Sequence, residues 1–359
     1  MLKPFRRTSN IDEVSKSRRF ETRDIVKRLG VLPPTNVRFK NHPIEKPLSI
    51  FNAAAILKND YIYVYARVVM GYYMYISAIA LVKVPLSDVL SGKVTSTKYL
   101  AELTICPSNK YDVWGVEDPR VTAIDNKWCM VFTGRTIDYF NQKVITGKTY
   151  PVVAVKDIDE KENWRKVGVV MLPEGLKGKV ISDKDSFIIK SSEGDLLVFH
   201  RPHMKDGIHY TVISKLQELP NEGMRELKVT DSIEVLKPAP FEYKIGWGTP
   251  PINIGKDRYV MILHGVDREI ETYRAFAALV TYDKAKGPKV ISTSPYYIMG
   301  PKEIYEVYGD RPLVVFPCGF FKVDNKALVV YGAADHTVGF GVMDLNELVG
   351  ILEEAAVPA

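Results

Sequence analysis

From Ser49 to near Gly339 the chain runs as short apolar stretches parted by clusters of turn residues, the pattern of β-strands joined by tight connections. It predicts strands over residues 50–57, 61–69, 74–84, 121–124, 128–132, 151–155, 196–199, 259–263, 276–282, 313–316 and 327–331. Lys58-Asn59-Asp60, Asp125-Asn126-Lys127, Ser192-Glu193-Gly194-Asp195, Gly255-Lys256-Asp257 and Asp324-Asn325-Lys326 stand between them, as hairpins require. Strand-turn-strand units recur at intervals of about 50 to 70 residues, the scale of propeller blades. No Pro/Gly/Ser-rich linker breaks the run, so residues 49–359 are expected to form one all-β ring.

The flanks differ. Residues 1–48 are expected to be a helical extension. In its first helix Asn10 would cap and Glu13 would complete a capping box; in the second, Ile25, Val26 and Leu29 precede a stop at Gly30. Pro33-Pro34 then ends any helix. At the other end Leu345, Leu348, Val349 and Leu352 fall on one face of a short amphipathic helix over 344–354, expected to pack on the outside of the ring.

Composition narrows the class. With 46% hydrophobic and 26% charged residues the chain is an ordinary globular protein, and its 20 tyrosines both favour strands and offer rings on which a sugar can stack. The net charge of +6 is modest. Basic residues near the N-terminus alternate with Asp12, Glu13, Glu21 and Asp24, which suits a solvated face or a subunit contact and, without a reader motif, argues against nucleic acid. A homo-oligomer is expected, although a contact within the chain explains that segment equally well. Three cysteines without metal or redox spacing exclude a disulfide framework, and no apolar run suggests a signal or a membrane span, so a cytoplasmic location is expected.

The densest chemistry lies at Trp114-Gly115-Val116-Glu117-Asp118-Pro119-Arg120, where two acids, a proline and a guanidinium precede a strand. Pro119 is expected to bias Asp118 towards extended geometry and so aim its carboxylate. An Asp118–Arg120 ion pair closing a turn is the plainer alternative. Further polar residues mark strand ends: Asn52, Arg67, His200-Arg201-Pro202-His203, Lys244, His264, Tyr273 and Asp335-His336. Arg201, Lys244 and His264 are three potential cations that, brought together, would repel one another unless an anion such as phosphate lay between them. The Gly246-Trp247-Gly248-Thr249-Pro250-Pro251 stretch lacks phosphate-loop spacing, and its prolines remove two donors, so it reads as a rigid device presenting Lys244 and Trp247. His200, His203 and His209 lack the partners of a metal site, and there is no Gly-x-Ser-x-Gly elbow.

Taken in order, Phe51-Asn52 with Arg67, Gly115 to Arg120, His200-Arg201-Pro202, Lys244-Ile245-Gly246 with Gly248 to Pro251, His264-Gly265-Val266, Tyr273, Phe316-Pro317-Cys318-Gly319 and Tyr331 to Asp335 resemble the motifs of glycoside hydrolase family 130. That family comprises β-mannoside phosphorylases and related hydrolases on five-bladed β-propellers. The resemblance implies an inverting phosphorylase that cleaves β-mannosides with inorganic phosphate to give α-mannose 1-phosphate, with phosphate as co-substrate and no cofactor. It implies that Asp118 is the general acid, acting through the mannose 3-hydroxyl. Asn52, Arg67 and Asp335, with Glu117 and Trp247, would hold the sugar; Arg201, Lys244, His264 and Tyr273, with Lys184, would hold phosphate. Two departures stand out: Ser182-Asp183-Lys184-Asp185 replaces a common Arg-Asn pair, and Ala53 replaces a common serine. The alternatives are a β-mannosidase in which Glu117 or Asp335 helps a water molecule, a mannosyltransferase using a nucleotide sugar, and a sugar-binding propeller without turnover.

Overall fold

The computed structural model describes residues 4–40, 42–158 and 163–356. Its strands form five successive antiparallel units. The first comprises Ser49–Lys58, Tyr61–Val69, Ser77–Pro85 and Tyr99–Ile105. The second comprises Val116–Ile124, Lys127–Arg135, Thr149–Asp157 and Arg165–Met171. The third comprises Val180–Lys190, Leu196–Met204, Thr211–Leu216 and Arg225–Leu236. A bridge between Thr149 and Ser182, and parallel pairing of Arg165–Met171 with Arg225–Leu236, join the second and third, together with the short strand Arg6–Arg7, into one nine-stranded sheet. Glu242–Trp247, Arg258–Asp267, Tyr273–Asp283 and Gly287–Thr293 make the fourth, and Ile252–Gly255 pairs beside it. The fifth is Val315–Val323, Lys326–Ala333 and Thr337–Asp344.

Five apolar clusters fill the spaces between successive units. Phe132 and Val152 of the second face Ile79 and Ile105 of the first; their chain neighbours Val131 and Val153 face Val198 and Val212 of the third. Tyr259, Met261 and Leu263 pack against Phe187 and Phe199, while Val260 and Ile262 pack against Val329 and Phe320. The fifth cluster joins Val330 and Phe340 of the last unit to Val64 and Val82 of the first. With both faces of a strand buried, the sequence shows continuous apolar runs rather than alternation. The first strands of the units also touch in cyclic order. Ser49–Lys58 meets Val116–Ile124, which meets Val180–Lys190, which meets Glu242–Trp247; Val315–Val323 touches both the fourth unit and Ser49–Lys58.

The N-terminal segment departs from expectation. The first helix exists as Ile11–Lys16, but the Asn10 side chain does not cap it and donates instead to the Val290 carbonyl at 2.8 Å. The expected second helix is a strand, Lys27–Leu32, paired antiparallel with Thr337–Asp344 and so supplying the fourth strand of the last unit. The edge of that sheet offered unpaired backbone groups that a helix could not have met. Val37–Phe39 and Arg6–Arg7 likewise add to the first and third units. The segment is anchored by Arg18, whose guanidinium is buried against Glu242 at 2.7 Å and lies 3.5 Å from the centroid of the Phe276 ring. At the other end the helix Leu345–Glu354 forms as expected, capped by Asp344 and burying Leu345, Leu348 and Leu352. Among the described residues no helix is long and apolar enough to cross a membrane.

Candidate active site

In all five units the first strand carries a register shift: Phe51/Ala54, Glu117/Arg120, Lys184/Phe187, Glu242/Lys244 and Pro317/Gly319. Such bulges bend a strand and re-aim a side chain, and they are where a strand tolerates proline, as at Pro119. At three of them the backbone is left-handed on a short polar residue, Asn52 (φ 45°), Asp118 (φ 50°) and Asp185 (φ 53°), and Asp335 (φ 50°) follows the same rule in the turn after Lys326–Ala333. Asn and Asp accept this conformation more readily than other side chains, which accounts for their presence. The expectation that Pro119 would hold Asp118 extended is therefore incorrect. The bulge, not the proline, directs its carboxylate.

These residues surround a cavity of about 320 Å³. Its lining includes Asn52, Arg67, Glu117, Asp118, Lys184, Arg201, Lys244, His264, Tyr273 and Asp335, each singled out from sequence. Trp247 is absent from it. On the strand Glu242–Trp247, Ile245 and Trp247 point into the apolar cluster between the third and fourth units, where the indole is fully buried and lies 5.0 Å from the Phe199 ring; Lys244 faces the cavity. Trp247 is a core residue with its Nε1 donating to the His200 carbonyl at 3.2 Å. His200 is also structural, bonded to Asp183 at 2.7 Å and Ser214 at 2.8 Å.

One half of the cavity is built on Glu117 and Asp118. Glu117 meets Arg67 at 2.7 Å, Arg135 at 2.5 Å and Lys184 at 3.0 Å. Burial alone would raise its carboxyl, but the charges of Arg67, Lys184 and Arg135 together hold it well below the ordinary carboxylate range. Asp118 Oδ1 accepts from Asn52 Nδ2 at 2.8 Å and Arg67 Nη1 at 3.2 Å. Arg120 makes no side-chain pair with Asp118. It donates to the Asp118 backbone carbonyl at 2.8 Å, and to those of Gly248 and Trp247, so it braces the bulge from within. Gly332 leaves room for Asn52, since a Cβ there would lie 1.7 Å from Asn52 Oδ1. Asp335 makes no ion pair among the described residues. Burial pushes its carboxyl up to about 6, Arg67 opposing and the Asp118 charge reinforcing the rise.

The other half is cationic. Arg201 donates to Asp185 at 2.5 Å and to His209 at 2.8 Å. Burial would raise Asp185, but the Arg201 and Arg120 guanidiniums outweigh it and hold the carboxyl well below its ordinary value. Among the described residues Lys244 forms no ion pair; burial, then Arg201 and Arg311, bring its ammonium down to about 8. His264, expected to be a cation, is neutral at pH 7. Burial takes its imidazole down to about 3 despite the nearby Asp185, with Arg201, Arg120 and Lys244 reinforcing the drop. Its 3.5 Å approach to Asp185 is thus a contact of a neutral ring rather than an ion pair. Tyr273 lies beneath Lys244, with the ammonium 5.6 Å from the ring centroid. Lys184, assigned to the anion by sequence, spends its ammonium on Glu117 and so stands between the halves.

Sequence reasoning missed Tyr75, Arg135, Asp185, His209 and Arg311 in the lining. Asp185 could have been found from the hairpin register that sets Lys184 opposite Arg201. The others come from strand ends and loops whose convergence only packing decides.

Fold and cavity together define an all-β protein with a ligand-sized, charge-divided pocket lined mainly from the first and second strands of its units. Comparison with known proteins gives the family. The chain belongs to glycoside hydrolase family 130, whose sequence model, described as β-1,4-mannooligosaccharide phosphorylase, matches residues 16–354. A β-1,2-mannobiose phosphorylase of Thermoanaerobacter sp. (strain X514) is 29% identical over 238 residues, 66% of this chain and 69% of its own. A 1,2-β-oligomannan phosphorylase of the same organism is 26% identical over 311 residues, 84% of this chain and 91% of its own. The solved structure of a Listeria innocua β-1,2-mannobiose phosphorylase with β-1,2-mannobiose matches with a TM-score of 0.69 at 19% identity, covering 92% of this chain and 97% of that one. At that identity the structural match speaks for the fold.

Proposed function

We propose that this chain is an inverting glycoside phosphorylase that cleaves a β-mannoside with inorganic phosphate, releasing α-mannose 1-phosphate and a shortened acceptor. The names of the two Thermoanaerobacter relatives support the reaction class. The observation that carries the reading is the division of charge: six cationic side chains line the cavity against four carboxyl groups, and among the described residues Lys244 and Arg311 form no ion pair. A phosphate oxygen attacks the anomeric carbon as the glycosidic bond breaks, and the leaving oxygen takes a proton. Asp118 supplies that proton through the mannose 3-hydroxyl, while Asn52, Arg67 and Asp335 hold the sugar. With a carboxyl near 6, Asp335 can donate to or accept from a hydroxyl in the neutral range. Arg201, Lys244, His264 and Tyr273 hold phosphate in line, His264 as a neutral ring.

An inverting hydrolase needs a second free carboxylate about 6.5–9.5 Å from the acid to activate water. Asp185, the carboxylate of the cationic half, is tied to Arg201 and depressed, which makes it a weak base. Phosphate is itself the nucleophile and needs positive charge and orientation instead. The same reading takes the five units as blades of a five-bladed β-propeller, with residue 49 onward as one catalytic domain closed by the N-terminal strand Lys27–Leu32; the five inter-unit clusters support it.

Purified protein incubated with β-1,2-mannobiose or β-1,4-mannobiose and phosphate is expected to form α-mannose 1-phosphate, detected by phosphorus NMR, and to release no sugar when phosphate is omitted. Release of free mannose at a rate indifferent to phosphate would contradict the proposal.

A further inference from the structure

The cationic half contains a charge that no sequence motif marked. Arg311 lies on the connection between the short helix Ile304–Val307 and the strand Val315–Val323, and although exposed it lines the cavity. Its guanidinium carbon is 4.6 Å from the centroid of the Tyr273 ring. Stacking on an aromatic face is a common fate of a surface arginine, but Lys244 already occupies that ring. Two cations on one phenol repel each other, and Arg311 is among the charges that depress Lys244.

Among the described residues no carboxylate forms an ion pair with Lys244 or Arg311, although Asp185 and Asp335 lie close enough to be felt. The adjacent Asp310 accepts from Ser49 at 2.7 Å and Tyr75 at 2.8 Å on the sugar side. Asp335 feels the Arg311 charge but makes no ion pair with it. Nor does Arg311 sit on a loose loop. Its N–H donates to the Ala334 carbonyl at 3.0 Å, and the Ala334 N–H donates to the Val314 carbonyl at 3.0 Å. Gly309 packs so closely that a Cβ would lie 2.4 Å from the Ala334 oxygen. The Tyr273 N–H donates to the Leu313 carbonyl at 3.1 Å. The backbone is thus moored on both sides of a cation that has no ion-pair partner among the described residues, an arrangement that an incoming dianion completes.

We infer that Arg311 is a phosphate ligand of this enzyme, supplying a third positive contact of the anion site beside Arg201 and Lys244. The inference rests on the phosphorolytic reading above. The loop that carries it also touches both sides of the cavity: Asp310 holds Tyr75 on the sugar side while Arg311, one residue on, reaches the anion side.

Initial rates with β-mannobiose and phosphate varied independently test this in wild type, Arg311→Gln and Arg311→Lys, with melting temperatures as the check on folding. Losing a hydrogen bond to a charged group is expected to raise the phosphate KM of Arg311→Gln about tenfold to a hundredfold while the mannobiose KM holds. Arg311→Lys should recover part of the loss. An unchanged phosphate KM in Arg311→Gln, or a rise confined to the mannobiose KM, overturns the inference while leaving phosphorolysis standing. A wild-type rate indifferent to phosphate overturns the phosphorolytic reading itself.

Discussion

In the half of the cavity built on Glu117, three cations converge on one carboxylate, and Asn52 and Arg67 hold the next. In the half built on Arg201, Asp185 neutralises one guanidinium while Lys244 and Arg311 share the Tyr273 ring and, among the described residues, form no ion pair. The exception on the first side is Asp335, a buried carboxyl left without a partner and shifted up to about 6. The first half is nearly complete at rest, its unfinished group suited to a hydroxyl. The second is unfinished in its cations and suited to an anion.

Removing Asp118 gives the largest expected effect. Asp118→Asn retains the left-handed bulge and the shape of the site but cannot release a proton, so the phosphorolysis rate should fall about 10²–10⁴-fold, the range of general acid catalysis. Retained mannobiose binding, measured by calorimetry, would separate lost chemistry from lost structure. A variant of undiminished rate would remove Asp118 from the acid role.

The next prediction concerns the stability of the two halves. Glu117→Gln leaves Arg67, Arg135 and Lys184 around a neutral amide, and breaking such a buried network costs about 3–5 kcal/mol in denaturant unfolding. Lys244→Met should do the opposite. A lysine held near 8 opposes folding wherever it is charged. The variant is therefore expected to gain up to about 3 kcal/mol at pH 7 while losing affinity for phosphate. Because the folded-state value is depressed, that gain should shrink as pH rises from about 8 towards the unfolded-state value of lysine. If both variants destabilise equally, the contrast between the halves fails.

Asp335→Asn has the same logic with the sign of charge reversed. Its folded-state value is raised, so the wild-type protein loses stability as pH climbs from the ordinary aspartate range through about 6. Above that, the variant should be more stable by up to about 3 kcal/mol and bind mannoside less well. A stability difference flat with pH would show that Asp335 titrates normally. The smallest effect expected is on the alkaline limb of activity: the phosphate KM should rise about tenfold per pH unit above about 8 as Lys244 loses its proton, and Lys244→Met should flatten that limb.

The all-β class was legible in the sequence because both faces of most strands are buried, so apolar runs stand out between polar turns. The second helix was misread because Val26 and Leu29 also fit a helical face, whereas the sheet edge along Thr337–Asp344 that captures Lys27–Leu32 lies some three hundred residues away. Trp247 shows a signal that was present but unused: counting alternate residues from Lys244 puts Trp247 on the opposite face, in the core. Asp118 and Arg201 were readable from their motifs. The neutrality of His264 was not, since burial and three neighbouring cations set it, and Arg311 reaches the cavity only through a connection whose course depends on packing.

The central claim is that the cationic half receives phosphate while the Asp118 half holds sugar. Arsenate, a phosphate stand-in with an anomalous X-ray signal, soaked into crystals without a mannoside, so that no turnover consumes it, locates the anion directly. The account predicts one site within hydrogen-bond reach of Arg201, Lys244 and Arg311, with Asp118 across a sugar-sized gap. An anion lodged against Arg67 and Arg135, or none in the cavity at saturating arsenate, would contradict it.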